Sequence, residues 1–174
     1  MKTILFAGFK GSGKTTALTK IAKKLSSLGY SVASVKNARK GDIEITAKDS
    51  WQHFLSGANP AVLISPRVVI IHESSSENAL EQLMLYFRRK RIQYVLVEGL
   101  YKEMATKKKV LTVACAKNET ELEDILRVHK EVDMITGLYA LSGLKEYRGI
   151  RVFNMDKELD DIVALILKKS KSYA

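Results

Sequence analysis

The sequence predicts one α/β domain over residues 1–174, a mostly parallel sheet with helices on both faces. Three observations carry that prediction. Short apolar runs alternate with segments of helical period, a glycine-rich loop joins the first run to the first helix, and no repeat or linker interrupts the pattern. A chain of 174 residues, 46% hydrophobic and 28% charged, is long enough for one core and has the balance of a globular protein.

Thr3 to Ala7 is an apolar run that stops at Gly8, the first strand. From Thr15 onward Leu18, Ile21, Ala22, Leu25 and Leu28 share one face of a helix that Gly29 ends. Ser31 to Val35 reads as the second strand. Thr46 and Asp49 have the spacing of a capping box, and Trp51, Phe54, Leu55 and Ala58 share the face of the helix that follows, until Asn59-Pro60 breaks it. Ala61 to Ser65 and Val68 to His72 are adjacent strands joined by a tight turn at Ser65-Pro66-Arg67. Ser74 with Glu77 is expected to cap a helix bearing Leu80, Leu83, Met84 and Phe87. Tyr94 to Val97 is a buried strand ending at Glu98-Gly99, and Val110 to Ala114 is another. Thr120 with Glu123 is expected to open a helix bearing Leu122, Ile125, Leu126 and His129. Val132 to Thr136 is a late strand. Ile150 to Phe153 leads into a last helix on Leu159, Ile162, Val163 and Ile166.

Gly8-Phe9-Lys10-Gly11-Ser12-Gly13-Lys14-Thr15 fits G-x-x-x-x-G-K-[ST], the phosphate-binding P-loop, so the predicted sheet is of the P-loop NTPase type. Glycines let the backbone turn with positive φ and bring its N–H groups to phosphate oxygens. Lys14 supplies a positive charge to the β and γ phosphates, Thr15 a hydroxyl for Mg²⁺, and the helix that starts there adds its N-terminal partial charge. Glu98 ends a strand where ligands of open α/β sheets collect, and can hold a water on Mg²⁺ or polarise an attacking one. A solvated strand-end carboxylate is its plain alternative. Candidate binding residues are therefore Gly8, Gly11, Ser12, Gly13, Lys14, Thr15 and Thr16. Candidate catalytic residues are Lys14 and Glu98, and candidate Mg²⁺ ligands are Thr15 and Glu98.

Lys plus Arg number 29 against 19 Asp plus Glu, a formal charge of +10, which favours anionic partners. Nucleic acid is not expected among them, because the chain has no zinc motif, aromatic stacking stripe or binding module. The single cysteine, Cys115, cannot form an internal disulfide and suits a reducing compartment. No apolar run approaches the ~20 residues of a membrane span, and the first apolar stretch is too short for a signal peptide, so a cytoplasmic protein is expected. His53, His72 and His129 lack metal-ligand spacing. Lys36, Asp42, Glu44 and Asp49 form a polar segment that could serve Mg²⁺ indirectly or simply be solvated. Arg88-Arg89-Lys90-Arg91 suits a helix C-terminus, or the phosphate lid of a small-molecule kinase; Lys107-Lys108-Lys109 borders the loop after Glu98.

Taken together these residues resemble the molybdopterin-guanine dinucleotide biosynthesis protein B (MobB) family. The likeness rests on Gly13-Lys14-Thr15-Thr16 close to the start, a strand ending in Lys36, an acidic segment, Lys48-Asp49-Ser50, Gly57-Ala58 and Val97-Glu98-Gly99 in that order. The resemblance implies a GTP-binding accessory protein of weak hydrolytic activity, in which Lys14 and Thr15 hold phosphate and Mg²⁺ and Glu98 is the strand-end acid. It also implies a homodimer that helps a guanylyltransferase attach GMP to molybdopterin. Two departures stand out. Asn37-Ala38-Arg39-Lys40-Gly41 occupies the stretch where the family has histidines, and Leu138 follows Ile135-Thr136-Gly137 where an aspartate would read guanine. Guanine preference therefore rests on the resemblance. A small-molecule kinase built on the same P-loop, with Asp42 or Glu98 as base, is the alternative reading.

Overall fold

The computed structural model describes residues 1–38, 48–100, 104 and 109–172. Its elements in chain order are β1 (Lys2–Gly8), α1 (Lys14–Ser27), β2 (Val32–Lys36), α2 (Lys48–Leu55), β3 (Ala61–Ile64), β4 (Val69–His72), α3 (Ala79–Arg89), β5 (Tyr94–Glu98), β6 (Val110–Cys115), α4 (Glu119–Val128), β7 (Met134–Thr136), a 3-10 turn (Leu138–Ser142), β8 (Glu146–Tyr147), β9 (Ile150–Arg151) and α5 (Leu159–Ser172). They fall into two compact units, Met1–Asn37 with Phe87–Ala174, and Ala38–Tyr86.

The larger unit carries a five-stranded sheet in the order β2-β5-β1-β6-β7, parallel throughout. β1 lies at its centre, and Ile4, Leu5, Phe6 and Ala7 are all buried. A central parallel strand covered on both faces reads as a continuous apolar run, not an alternating one. Ile4 and Phe6 join Leu96, Leu111, Val113, Met134 and Phe153 in one cluster with Ile21 and Leu25 of α1 and Ile162 and Ile166 of α5. Leu5, Val95 and Val97 point the other way and are equally buried, on the face where α4 packs its Leu122 and Ile125 against β1 and β6. Each such side chain removed from water contributes ~1.5–3 kcal/mol.

The smaller unit holds α2 and the β3–β4 hairpin, a separate antiparallel pair. Its turn closes as expected at Ser65-Pro66-Arg67, with Ser65 N–H donating to the Val68 carbonyl at 2.9 Å. Around His72 the rings of Trp51 and Phe54 pack at centroid distances of 5.3 and 6.4 Å, and its Nε2 lies 3.0 Å from Ser50 Oγ.

Helix boundaries differ from expectation in three places. α2 ends at Leu55, before Ala58 and Asn59-Pro60, where Gly57 takes the left-handed conformation (φ 102°) and the Ala58 N–H donates to the His53 carbonyl. Ser74 and Glu77 do not open α3, which starts at Ala79; Ser74 instead exchanges two 3.0 Å hydrogen bonds with the Asn59 side chain. The capping box of α4 is displaced by two residues. Asn118 accepts from Glu121 N–H at 3.0 Å and the Glu121 carboxylate accepts from Lys117 N–H at 3.0 Å, so Thr120 and Glu123 lie inside the helix. Burial opposes the charge on Glu121, but the hydrogen bonds and charge of Lys117, with Lys14 beyond, hold its carboxyl below the ordinary value. Of Ile150 to Phe153, Ile150 and Arg151 form β9 and pair with β8, while Val152 makes a parallel bridge to Ile135 and the Phe153 N–H donates to the Ile135 carbonyl at 2.9 Å. Thr46, the expected cap of α2, lies outside the described residues.

Candidate phosphate-binding site

β1 delivers its chain to the end of β6, where Gly8 is the register partner of Cys115. A Cβ at Gly8 would overlap the Cys115 carbonyl and stand 2.7 Å from Ser12 Oγ, so only glycine fits. Gly13 is the N-cap of α1 in the left-handed region (φ 92°), as glycine allows. No side chain caps this helix and its first turn holds no acid, which leaves its free N–H groups and partial positive charge open to an external anion. Ser12 is fully buried, and its hydroxyl has no hydrogen-bond partner among the described residues. A buried polar atom without a partner is costly, and an oxygen-rich ligand supplies what it lacks.

Two side chains span the loop. Lys14 Nζ donates to the Phe9 carbonyl at 2.5 Å, across the curve of the loop. Thr15 Oγ1 lies 3.0 Å from both carboxylate oxygens of Glu98 and shares its proton between them. Glu98 reaches that position because β5 lies beside β1, with Phe6 and Glu98 in register; the neighbouring pair Lys36 and Glu98 brings Lys36 Nζ to 3.8 Å. Thr16 is exposed in the first turn of α1, and a Cβ on Gly11 would meet nothing within 4 Å. Beneath the loop, burial pushes the Cys115 thiol up to about 12, against the opposing pull of Lys14.

Gly137 is a further part of the site, one the motif does not mark. It follows β7 at φ 93°, and a Cβ there would overlap the Ser12 carbonyl oxygen; one on Gly13 would stand 3.3 Å from the Gly137 Cα. The ends of β1, β6 and β7 thus hold the loop jointly. The only sequence signal is a glycine directly after an apolar strand.

Asp49 sits in the first turn of α2, in the smaller unit. Asp42, Glu44, Lys107 and Lys108 lie outside the described residues. Among the described residues no cluster of three His, Cys, Asp or Glu side chains forms a metal cage, and no helix is long and apolar enough to cross a membrane.

A parallel sheet with a glycine loop between its central strand and first helix, and an acid on the adjacent strand end, defines the P-loop NTPase fold. Within that class the chain belongs to the MobB family, molybdopterin guanine dinucleotide synthesis protein B, whose sequence pattern matches residues 3–131. It is similar to the molybdopterin-guanine dinucleotide biosynthesis adapter protein of Haemophilus influenzae, with 32% identity over 98 residues. That match covers 55% of each protein, so the chain spans about half the length of this curated relative. A crystal structure of molybdopterin-guanine biosynthesis protein B (mobB) superposes with a TM-score of 0.68 at 26% identity, covering 97% of this chain and 99% of the other. Bacillus subtilis MobB gives a TM-score of 0.74 at 22% identity over 97% and 98% of the two chains. The MobB homologue of Bacillus stearothermophilus gives 0.72 at 17% over 99% of each. The last two likenesses support the fold.

Proposed function

We propose that this protein binds magnesium GTP at Gly8 to Thr16 and acts as an accessory factor in molybdenum cofactor assembly, assisting a guanylyltransferase that attaches GMP to molybdopterin. The observation that carries the reading is the contact of Thr15 with Glu98 across a P-loop whose helix has no cap of its own. The residues fit the ligand: the orphaned Ser12 hydroxyl and the free N–H groups of α1 suit phosphate oxygens, and Lys14 supplies the charge. Thr15 and Glu98 would hold Mg²⁺, which neutralises charge on the phosphates. Glu98 would also orient the attacking water, and hydrolysis would be slow.

A homodimer is part of the same reading. The hairpin of the smaller unit leaves Ile64, Val69 and Ile71 exposed at 76%, 57% and 59%, a row of apolar side chains of the kind a partner surface covers. The charge of +10 suits a phosphorylated pterin and an acidic face on the transferase, in a cytoplasmic setting.

The test is calorimetry with GTP and ATP, with and without Mg²⁺, followed by guanine dinucleotide formation in a mixture with transferase and molybdopterin. Lys14→Ala should weaken triphosphate binding by ~2–3 kcal/mol, the scale of a charge-assisted contact. Glu98→Gln should keep nucleotide bound and slow turnover. Unchanged affinity in Lys14→Ala would remove the central claim, and phosphoryl transfer to a small acceptor without stimulation of the transferase would favour the kinase.

A further inference from the structure

The cationic run at Arg88-Arg89-Lys90-Arg91 takes no part in the P-loop, and the structure gives two of its members a setting. Arg88 and Arg91 line a pocket of about 410 Å³ in the larger unit, together with Lys2, Tyr30, Gln93 and Tyr94. Lys2 and Tyr94 are register partners at the start of β1 and β5. β1 runs 7 residues from there to Gly8, so the pocket lies ~20 Å from the glycine loop, at the opposite end of the sheet.

Three features of this pocket point to an anion that carries an aromatic group. No carboxylate lines it, and none of Lys2, Arg88 and Arg91 lies within ion-pair distance of a described carboxylate. Like charges gathered round a concavity repel one another, and a bound anion relieves that repulsion. Second, Arg91, two residues past the end of α3, lies in the left-handed region (φ 55°), its N–H donating to the Arg88 carbonyl at 2.9 Å while Ile92 N–H reaches the Phe87 carbonyl at 3.0 Å. These are the two bonds of a Schellman cap, whose left-handed position favours glycine, and arginine stands there instead. Third, Tyr30, partly exposed, meets the buried Tyr94 edge to face, centroids 5.2 Å apart, so that a ring held from behind by the core borders the pocket. Gln93 is already engaged, its side-chain oxygen accepting from Ser31 N–H at 2.9 Å.

We propose that this pocket binds a phosphomonoester carried on a small aromatic group, at a site independent of the P-loop. The guanidinium groups of Arg88 and Arg91 and the Lys2 ammonium take the phosphate, and the Tyr30 ring, backed by Tyr94, takes the aromatic group. A volume of about 410 Å³ is within the range of small-molecule sites and admits a single ring with its phosphate.

The experiment is calorimetric titration of the full chain with phenyl phosphate, inorganic phosphate and benzyl alcohol, alongside thermal melts of each variant. Phenyl phosphate should bind the native chain and Lys14→Ala alike, and benzyl alcohol should not bind. Arg88→Gln and Arg91→Gly should each weaken phenyl phosphate about tenfold or more, the loss expected of one charge-assisted contact. Arg67→Gln, an exposed arginine of the hairpin turn, should leave binding unchanged. Glycine suits the backbone at Arg91, so that variant should melt at the same or a higher temperature, and its lost affinity cannot be charged to unfolding. Inorganic phosphate should bind at least tenfold more weakly than the ester, and equal affinity would overturn the assignment of an aromatic ligand. Loss of binding in Lys14→Ala alone would place the ligand on the P-loop. A stabilised Arg91→Gly with undiminished affinity would reduce the arginines to helix-end charges. Either result refutes the proposal.

Discussion

Replacing Gly137 by alanine tests whether the glycine loop is held by the end of β7. Gly137 has φ 93° and ψ −158°, a quadrant almost confined to glycine, where any other residue costs ~1–3 kcal/mol. A Cβ there also overlaps the Ser12 carbonyl oxygen and stands 2.9 Å from that of Ala116, both backbone atoms that cannot rotate away. Overpacking of this kind adds ~1–3 kcal/mol, for a total of ~2–6 kcal/mol. Gly143 is the matched control. It has φ 85° and ψ −3°, and a Cβ on it meets nothing within 4 Å, so Gly143→Ala carries only the left-handed penalty of ~1–2 kcal/mol. Urea denaturation at m of ~1–3 kcal/mol/M should place the Gly137→Ala midpoint roughly 1–2 M below that of Gly143→Ala. The atom displaced belongs to Ser12, so the folded fraction of Gly137→Ala should also bind GTP more weakly, whereas Gly143→Ala should not. Equal midpoints, or unaltered nucleotide affinity in folded Gly137→Ala, would refute the reasoning.

Three further outcomes follow from burial and exposure. Cys115, with its thiol pushed up to about 12 by burial, should resist iodoacetamide at pH 8 until denaturant is added; labelling of the native chain at the unfolded rate would contradict its placement under the loop. Burial holds His129 below its ordinary 6.5, so the unfolded chain takes up that proton first. Stability should therefore fall as pH drops from about 6.5 toward the lower folded value and be flat above it, a slope that His129→Gln should flatten in denaturation curves at pH 5 and 7.5. If the proposed homodimer forms through the hairpin, Ile64→Lys at this position, exposed at 76%, should keep the fold and sediment as a monomer where the native chain sediments as a dimer; a native chain that is monomeric, or a variant that stays dimeric, would rule the hairpin out as the interface.

What the sequence made legible is what is local. The helical stripe from Leu18 to Leu25, the continuous run Ile4 to Ala7 and the glycine spacing of the loop each express one period or one motif, and each element appears where it is expected. The cap of α4 was not separable, because Asn118-x-x-Glu121 and Thr120-x-x-Glu123 satisfy the same pattern and only backbone geometry chooses between them. At the start of α3 a long-range partner, Asn59, takes the serine that would otherwise cap. The same limit applies at the site. Lys14 and Thr15 are fixed by the motif and Glu98 by its strand end, but the support from Gly137 depends on β7 lying beside β6, and strand order is not written in any one stretch of residues.

That strand order also constrains synthesis. β1 hydrogen-bonds to β5 and β6, and β2 to β5 alone, so β1 and β2 never pair with each other. A ribosome that has not yet emitted Tyr94 holds two apolar strands with no sheet partner for either. Both edges of β1 are then open to other chains, the condition under which parallel folds aggregate. β5 relieves it by inserting between them, and its arrival joins segments about sixty residues apart for β2 and about ninety for β1, closures of the kind that slow folding. A fragment stopping short of β5 should be insoluble, whereas one extending through Cys115 carries four of the five main strands. Assembly of the larger unit thus waits on the second half of the chain, and chaperone demand should peak just before β5 leaves the exit tunnel.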